Sequence, residues 1–150
     1  MKKSAVIRET GVFVDVQGTL IKSGNRLDAR LYSNMEIARQ RGAQVVIFTM
    51  ADSKSMTQSL QKVGVNTNHF PVKNKHKYWG HAFTGLVIDD VAPHLQRFLV
   101  QPFVYDSTGL ILDSIAKQLQ SNPRLTFNGA LKRYRLTQRR LLARANALQP

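Results

Sequence analysis

Oxygen-bearing side chains follow apolar runs at three places in this 150-residue sequence. One run ends at Asp15, a second at Thr49, and a third at Asp89 and Asp90. If these runs are parallel strands, their ends meet at one edge of a sheet and the three carboxylates come together. Adjacent carboxylates repel one another unless a cation lies between them, and Mg²⁺ prefers oxygen ligands of this kind. The pattern therefore predicts a magnesium site.

Groups suited to binding a phosphate lie beside these acids. Thr49, Thr19 and the backbone of Gly18 offer hydroxyl and N–H donors to phosphate oxygens, and a lysine of the run "VKNKHK" would supply positive charge. The three lysines of that run are Lys73, Lys75 and Lys77. The sequence thus predicts a site for a phosphorylated substrate next to the metal.

The elements that must position these residues alternate between strands and helices. Apolar spacing and caps predict a helix from Asp28 to Arg41 and another that begins at Asp52 or Ser53, and "VNTNHFPV" suggests a weaker strand. The predicted elements that follow are a strand in "GLVIDD", a helix in "APHLQRFLV", a strand in "PFVYD", a helix in "STGLILDSIAKQL" and a basic amphipathic helix in "NGALKRYRLTQRRLLARANAL". This order predicts an α/β fold, a three-layer α/β/α, Rossmann-like arrangement with a mostly parallel sheet and helices on both faces.

Length and composition narrow the class of protein. The chain is long enough for one domain, which we expect over residues 1–123, with residues 124–150 as an appended helix. The sequence has no cysteine, which excludes disulfides, zinc–thiolate sites and thiol nucleophiles. No window approaches the roughly 18 apolar residues of a membrane span, and Arg8 and Glu9 interrupt any signal-peptide core. We therefore expect a cytoplasmic protein.

The charge distribution is uneven along the chain. Lysine and arginine number 22 against 9 acids, a net charge of +13, and no acid follows Asp113. The predicted terminal helix carries five arginines that could bind a polyanion: Arg133, Arg135, Arg139, Arg140 and Arg144. Such a helix favours binding to nucleic acid, to anionic lipid or to an acidic protein face. The alternative is that the stripe from Leu131 to Leu148 packs back on the domain and leaves the arginines solvated.

Four segments of the sequence resemble, in order and spacing, the four motifs of the haloacid dehalogenase-like (HAD) superfamily of phosphohydrolases. They are "FVDVQGTL", "VVIFT", a lysine of "KNKHK" and "GLVIDD", within residues 11–106. The resemblance implies that Asp15 attacks phosphorus and forms an aspartyl-phosphate, while Thr49 binds the phosphoryl group. It also implies that one lysine steadies both, for which Lys75 is preferred over Lys73 and Lys77. Mg²⁺ would be held by Asp15, Asp89, Asp90 and the backbone carbonyl of Gln17.

Gln17 departs from the motif of the family phosphatases, which have a second aspartate at this position. That aspartate protonates the leaving group and then deprotonates the attacking water, whereas an amide does neither at neutral pH. General acid–base catalysis contributes about 10² to 10⁴ in rate, so turnover is expected to be slow or absent unless His69, His76 or water substitutes. The metal site is spared because it needs only the main-chain carbonyl of residue 17.

The sequence leaves no room for the large cap domain that many family members insert. Residues 19–28 allow only a small hairpin that turns at Ser23, Gly24 and Asn25, and residues 51–73 are filled by a helix and a strand. An open site suits a macromolecular phosphate, on nucleic acid or on a phosphoprotein, or else is closed by a second subunit of a homo-oligomer. Three functions follow as hypotheses: a slow Mg²⁺-dependent phosphohydrolase or phosphotransferase, an inactive binding module that keeps the fold, and a nucleic-acid-binding accessory protein.

Overall fold

The computed structural model describes residues 11–79, 83–91 and 103–148. Within these ranges the chain forms seven strands, four α-helices and one 3₁₀ turn. In order they are β1 Gly11–Asp15, β2 Ile21–Lys22, β3 Arg26–Leu27, α1 Ala29–Gln40, β4 Gln44–Thr49, α2 Ser53–Lys62, β5 Val72–Asn74, the 3₁₀ turn Lys75–Tyr78, β6 Leu86–Ile88, β7 Val104–Asp106, α3 Leu110–Ser121 and α4 Phe127–Ala147.

Five strands form one parallel sheet in the order β5-β4-β1-β6-β7, which confirms the predicted α/β class and parallel sheet. From β1 the chain builds outward through β4 and β5 and then returns to the other side of β1 for β6 and β7. The connections that follow β1 and β6 therefore run in opposite directions. In open α/β sheets, ligands bind at the carboxyl ends of the strands beside such a switch point.

Side chains of the sheet alternate between two apolar clusters, as the two-residue period of a strand requires. Val12 and Val14 lie in the larger cluster and Phe13 in the smaller one. The larger cluster contains the buried apolar residues of α1 to α4: Leu31, Met35, Ala38, Met56, Leu60, Leu112, Ile115, Leu119, Phe127, Ala130 and Leu131. The four described helices therefore cover one face of the sheet.

An aromatic cluster covers the opposite face. Phe13, Phe48 and Phe83 are buried there, and Tyr78 and Trp79 pack against them from the 3₁₀ turn and the residue after it. The prediction of helices on both faces is thus met on one face only among the residues that the structure describes. The helix predicted in "APHLQRFLV" falls in residues 92–100, outside the described ranges.

Local hydrogen bonds fix the starts of α1 and α2, and both predicted starts are confirmed. The Asp28 carboxylate accepts the backbone N–H of Leu31 at 3.0 Å, and the Asp52 carboxylate accepts that of Ser55 at 2.9 Å. These are N-caps, in which a side-chain oxygen takes an N–H group that has no partner within the helix. The two carboxylates are therefore structural.

The weak strand predicted within "VNTNHFPV" is misplaced. Residues 66–70 form turns, because the Asn66 side chain accepts the backbone N–H groups of Asn68 and His69 at 3.0 and 3.3 Å. Such side-chain bonds stabilise a turn in competition with a strand. The strand instead is β5, which begins only at Val72 and continues into the lysine run.

The predicted hairpin after β1 is confirmed. Strands β2 and β3 pair antiparallel, and Gly24 and Asn25 in the turn have φ of 77° and 56°. Within the continuously described residues 11–79, this hairpin and α2 occupy the two places where a cap domain could be inserted, so no large cap is present there.

Among the described residues, the buried side chains of helix α4 all lie in its first turns. Phe127, Ala130 and Leu131 are buried, and the Arg135 guanidinium donates to the backbone carbonyl of Thr84. Beyond this point the leucines are 45% to 85% exposed: Leu136, Leu141, Leu142 and Leu148. The alternative in which the whole stripe packs back on the domain is therefore wrong beyond the region of Arg135. In the described part of the chain, no helix is both long and apolar enough to cross a membrane.

Candidate functional site

The candidate site lies at the switch point of the sheet. Asp15 is the last residue of β1, and Asp89 directly follows β6, so the parallel pairing of these strands sets their carboxylates side by side. Both residues are buried, with exposed fractions of 8% and 2%. Two carboxylates buried this deeply need a compensating positive charge.

Lys75 supplies that charge. Its ammonium nitrogen lies 2.6 Å from Oδ1 of Asp15 and 2.8 Å from Oδ2 of Asp89, and the residue is only 1% exposed. The 3₁₀ turn directs it inward, because Asn74 caps the turn by accepting the N–H of His76 and donates to the carbonyl of Ala51. Lys75, preferred from the resemblance, is thus the lysine that the structure places at the carboxylates.

Thr19 links the first carboxylate to the third. Its hydroxyl lies 3.2 Å from Oδ2 of Asp15 and 3.4 Å from Oδ1 of Asp90, and it accepts the backbone N–H of Asp90 at 3.2 Å. Gly18 packs against the Asp90 carboxylate with a backbone φ of +80°. A Cβ at residue 18 would lie 2.3 Å from Oδ2 of Asp90, so there is no space for a side chain. The loop after β1 therefore fixes where the Asp90 side chain can lie.

The net charge of the site favours binding of a further cation. Burial raises the pKa of Asp15 to about 6; the hydrogen bond and charge of Lys75 lower it, and the charge of Asp89 raises it. One ammonium faces three carboxylates, so the cluster keeps a net negative charge when all are ionised. Oxygens of Asp15, Asp89 and Asp90 lie within 4.8 Å of one another, which suits a shared metal ion.

A cavity of about 300 Å³ opens beside these carboxylates, and we call it the site cavity. Its polar walls include Asp15, Gln17, Thr49 and Asp90, and its apolar walls include Met56. Thr49 ends β4 and is buried, with its hydroxyl oxygen accepting the N–H of Ala51 at 3.0 Å. Its hydroxyl hydrogen is free to point to a ligand that lies next to Asp15.

The remaining candidates from the sequence lie at the border of the site or outside it. Gln17 is exposed and lines the site cavity, whereas Lys73 and Lys77 are exposed and do not. His69 bonds Glu36 through Nδ1 at 2.9 Å, and His76 bonds Asn74 through Nδ1 at 3.0 Å. Neither histidine lines the site cavity, so neither is placed to act for the missing acid.

Two supporting residues were missed in the sequence. Asn74 holds the turn that presents Lys75, and Asp106 at the end of β7 is buried and accepts the N–H groups of Gly109 and Leu112 at 2.8 and 2.9 Å. Asp106 thereby anchors the start of α3, and its backbone carbonyl accepts the N–H of Asp89. An aspartate at a strand end before "STG" and a helix was a signal that could have identified this role.

Comparisons with known proteins identified no relative of this chain. A scan against protein-family models and searches of curated proteins and of solved structures each found no match.

Proposed function

We propose that this chain is a HAD-like phosphohydrolase or phosphotransferase that acts through an aspartyl-phosphate on Asp15 and requires Mg²⁺. The observation that carries this proposal is the ion-paired cluster at the switch point, where Lys75 bridges Asp15 and Asp89 beside a cavity. A buried lysine held between two carboxylates contributes little to stability, since burying the charges costs about as much as their attraction returns. A buried group with a shifted pKa and a specific charge partner beside a cavity marks a candidate functional site.

Each residue of the cluster has a role in this chemistry. Asp15 is mostly ionised at neutral pH, because its pKa is about 6, and it would attack the phosphorus of a phosphomonoester. The ester P–O bond would break as the aspartyl-phosphate forms, and the leaving oxygen would take a proton from water and depart as the alcohol. Water, or an acceptor hydroxyl in a transferase, would then take the phosphoryl group and regenerate the Asp15 carboxylate. The Lys75 ammonium would offset the negative charge of the phosphoryl oxygens, and the Thr49 hydroxyl would donate to one of them. The orientation of Asp15 is fixed beforehand by Lys75 and Thr19.

The residues present fit a bound Mg²⁺. Asp15, Asp89 and Asp90 offer hard oxygen ligands within 4.8 Å, and the backbone carbonyl of Gln17 would complete the set. When bound, the ion would neutralise charge on the cluster and on the phosphate. Lys73, assigned to substrate binding from its charge, is exposed on β5 and does not line the site cavity, so we assign it no role in this chemistry.

Gln17 sets the expected rate. Gln17 lines the site cavity, and its amide cannot transfer a proton at neutral pH, whereas an acid at this position would protonate the leaving group. This observation also favours the second candidate function, an inactive module that binds phosphate, nucleic acid or protein through the same site. With no large cap within residues 11–79, the site would suit either a small phosphomonoester or a phosphate on a macromolecule.

The test is phosphate release from a panel of phosphomonoesters, including 5′- and 3′-phosphorylated oligonucleotides, with and without Mg²⁺. For a slow enzyme we expect Mg²⁺-dependent release that is lost in Asp15→Asn and rises about 10² or more in Gln17→Asp. Release that persists in Asp15→Asn would overturn the proposed nucleophile.

If the wild type releases no phosphate, the Gln17→Asp variant distinguishes the two candidate functions. If Gln17→Asp then releases phosphate, the scaffold is competent and the native protein is a binding module. If both proteins are silent and Mg²⁺ does not bind, the assignment to phosphoryl chemistry is wrong.

A further inference from the structure

A second cavity adjoins the site cavity. It has a volume of about 350 Å³ and lies between the β2–β3 hairpin and α2, and we call it the hairpin groove. The two cavities share three wall residues, Val16, Gln17 and Met56. A phosphate beside Asp15 would therefore have the hairpin groove next to it, on the far side of Gln17.

The walls of the hairpin groove are apolar and polar in about equal part. The apolar part of the lining comes from four residues, of which the first three are buried: Val16, Ile21, Leu60 and Val63. The volume of about 350 Å³ matches the lower range of small-molecule pockets, about 300 to 1,000 Å³, which combine apolar walls with polar groups that orient the ligand. The groove is thus suited to the body of a compact organic molecule.

The polar groups of the hairpin groove are neutral or positive. Asn25 comes from the hairpin turn, and Ser59 and Lys62 come from α2. No acid lines the groove, and among the residues that the structure describes Lys62 forms no salt bridge. An anionic group on a ligand would therefore be favoured near Lys62 over a neutral or cationic one.

We propose that the hairpin groove binds the organic group of the substrate, and that this group has an apolar body with a second acidic group. The inference rests on the proposed function, because it assumes that the phosphate lies at Asp15. It identifies the substrate class as a compact organic phosphomonoester that carries a further carboxylate or phosphate, rather than the end of a polymer. Gln17, at the border of the two cavities, would contact the ester oxygen between the two parts.

The first test measures binding rather than turnover. Methylphosphonate, phenylphosphonate and 4-carboxyphenylphosphonate, which are not hydrolysed, are titrated by calorimetry in the presence of Mg²⁺. We expect phenylphosphonate to bind the wild type about tenfold tighter than methylphosphonate, because its ring is partly buried, and the carboxylate to add a further few-fold. Equal affinity for all three would overturn the proposal.

Two variants of α2 locate the acidic group. Lys62→Glu is expected to weaken binding of 4-carboxyphenylphosphonate about tenfold and to leave methylphosphonate within about twofold. The control is Lys54→Glu, which makes the same charge change at an exposed residue of the same helix outside both cavities. If both variants weaken binding equally, the effect is one of overall charge and the role of Lys62 is wrong.

Two further variants test whether the hairpin groove itself is used. Ser59→Trp fills the groove and should abolish the advantage of phenylphosphonate over methylphosphonate. Gln58→Trp adds the same ring to an exposed neighbour that lines neither cavity and should not. Retention of the advantage in Ser59→Trp, or tighter binding of a 5′-phosphorylated oligonucleotide that Ser59→Trp leaves unchanged, would contradict the proposal.

The outcomes separate this inference from the proposed function. If methylphosphonate binds and the ring adds nothing, the groove inference fails while the phosphate site stands. If the ring and carboxylate add affinity but no phosphomonoester is hydrolysed, the groove stands and the enzymatic function fails. If no phosphonate binds, both are overturned.

Discussion

Lys75 is the only lysine or arginine that is buried among the residues that the structure describes. Its ammonium contacts both Asp15 and Asp89, and Asn74 keeps its backbone in the 3₁₀ turn. At the scale of single residues, the negative charge of the two buried carboxylates is therefore offset by the one ammonium group of Lys75. Removing the cation tests that balance directly.

Lys75→Ala is expected to lower the free energy of unfolding by about 3–5 kcal/mol, because it leaves two buried carboxylates without their partner. Mg²⁺ should restore part of this loss if the carboxylates bind the ion. Chemical denaturation with and without Mg²⁺ measures both effects. The matched control is Lys73→Ala, an exposed residue, which should stay within about 0.5 kcal/mol of the wild type.

Gly18 and Gly24 form a matched pair for the position of Asp90. Both have φ near +80°, so a substitution by alanine strains the backbone at either position by about 1 kcal/mol. Only at Gly18 does the new Cβ meet another group, Oδ2 of Asp90 at 2.3 Å. We expect Gly18→Ala to weaken Mn²⁺ or Mg²⁺ binding in calorimetry and Gly24→Ala to leave it unchanged. Equal metal affinity in both variants would mean that Asp90 is not a ligand.

At the scale of elements, a polar cluster joins α1 to α3. The Asp113 carboxylate accepts a hydrogen bond from Asn34 at 3.1 Å and two from Arg30 at 2.8 and 2.7 Å. These contacts favour the charged form, so the hydrogen bond of Asn34 first, and then that of Arg30, lower the pKa of Asp113. The contact depends on pH for that reason.

Because the folded-state pKa of Asp113 lies below the ordinary value of about 3.9, its ionised carboxylate stabilises the fold. This stabilisation is present above about pH 4 and is lost as the pH falls through the folded-state pKa. In Asp113→Asn that part of the acid-induced loss of stability should disappear. The free energy of unfolding, measured by denaturation at several pH values between pH 7 and pH 2, should therefore decrease less steeply for Asp113→Asn than for wild type. The exposed neighbour Ser114→Asn is the control, and a variant curve parallel to wild type would contradict the assignment.

At the scale of the whole molecule, positive charge is concentrated on α4. The helix has no acid, and the segment beyond Arg135 is exposed throughout its described length. Basic groups arranged in this way attract polyanions by releasing the counterions of the polyanion. This surface lies outside the candidate site, so it can be tested separately.

Replacement of Arg139, Arg140 and Arg144 by glutamine should reduce the salt dependence of binding to a single-stranded oligonucleotide. Loss of three phosphate contacts lowers the slope of log K against log salt by about 2. Fluorescence anisotropy at several salt concentrations measures the slope. The control replaces Arg26, Lys54 and Lys73, which gives the same net charge, and an equal reduction there would show that α4 has no special role.

The sequence alone determined the features that depend on neighbouring residues. The N-caps at Asp28 and Asp52 and the hairpin turn at Gly24 and Asn25 follow from short-range hydrogen bonds and backbone preferences. Apolar runs that end at Asp15, Thr49 and Asp89 were sufficient to predict a parallel sheet and the residues at its carboxyl edge, because the pattern of a buried strand is local.

The tertiary structure alone decided which lysine enters the site and where the chain leaves the core. Lys73, Lys75 and Lys77 are equivalent in charge, and the choice depends on two carboxylates that are 60 and 14 residues away from Lys75. Likewise, the leucines of α4 follow one helical pattern, yet Leu131 is buried and Leu148 is exposed, and the pattern alone does not distinguish them. The hairpin groove, which needs the packing of two distant segments, had no signal in the sequence. Burial and charge pairing are properties of the assembled chain, and a local pattern does not contain them.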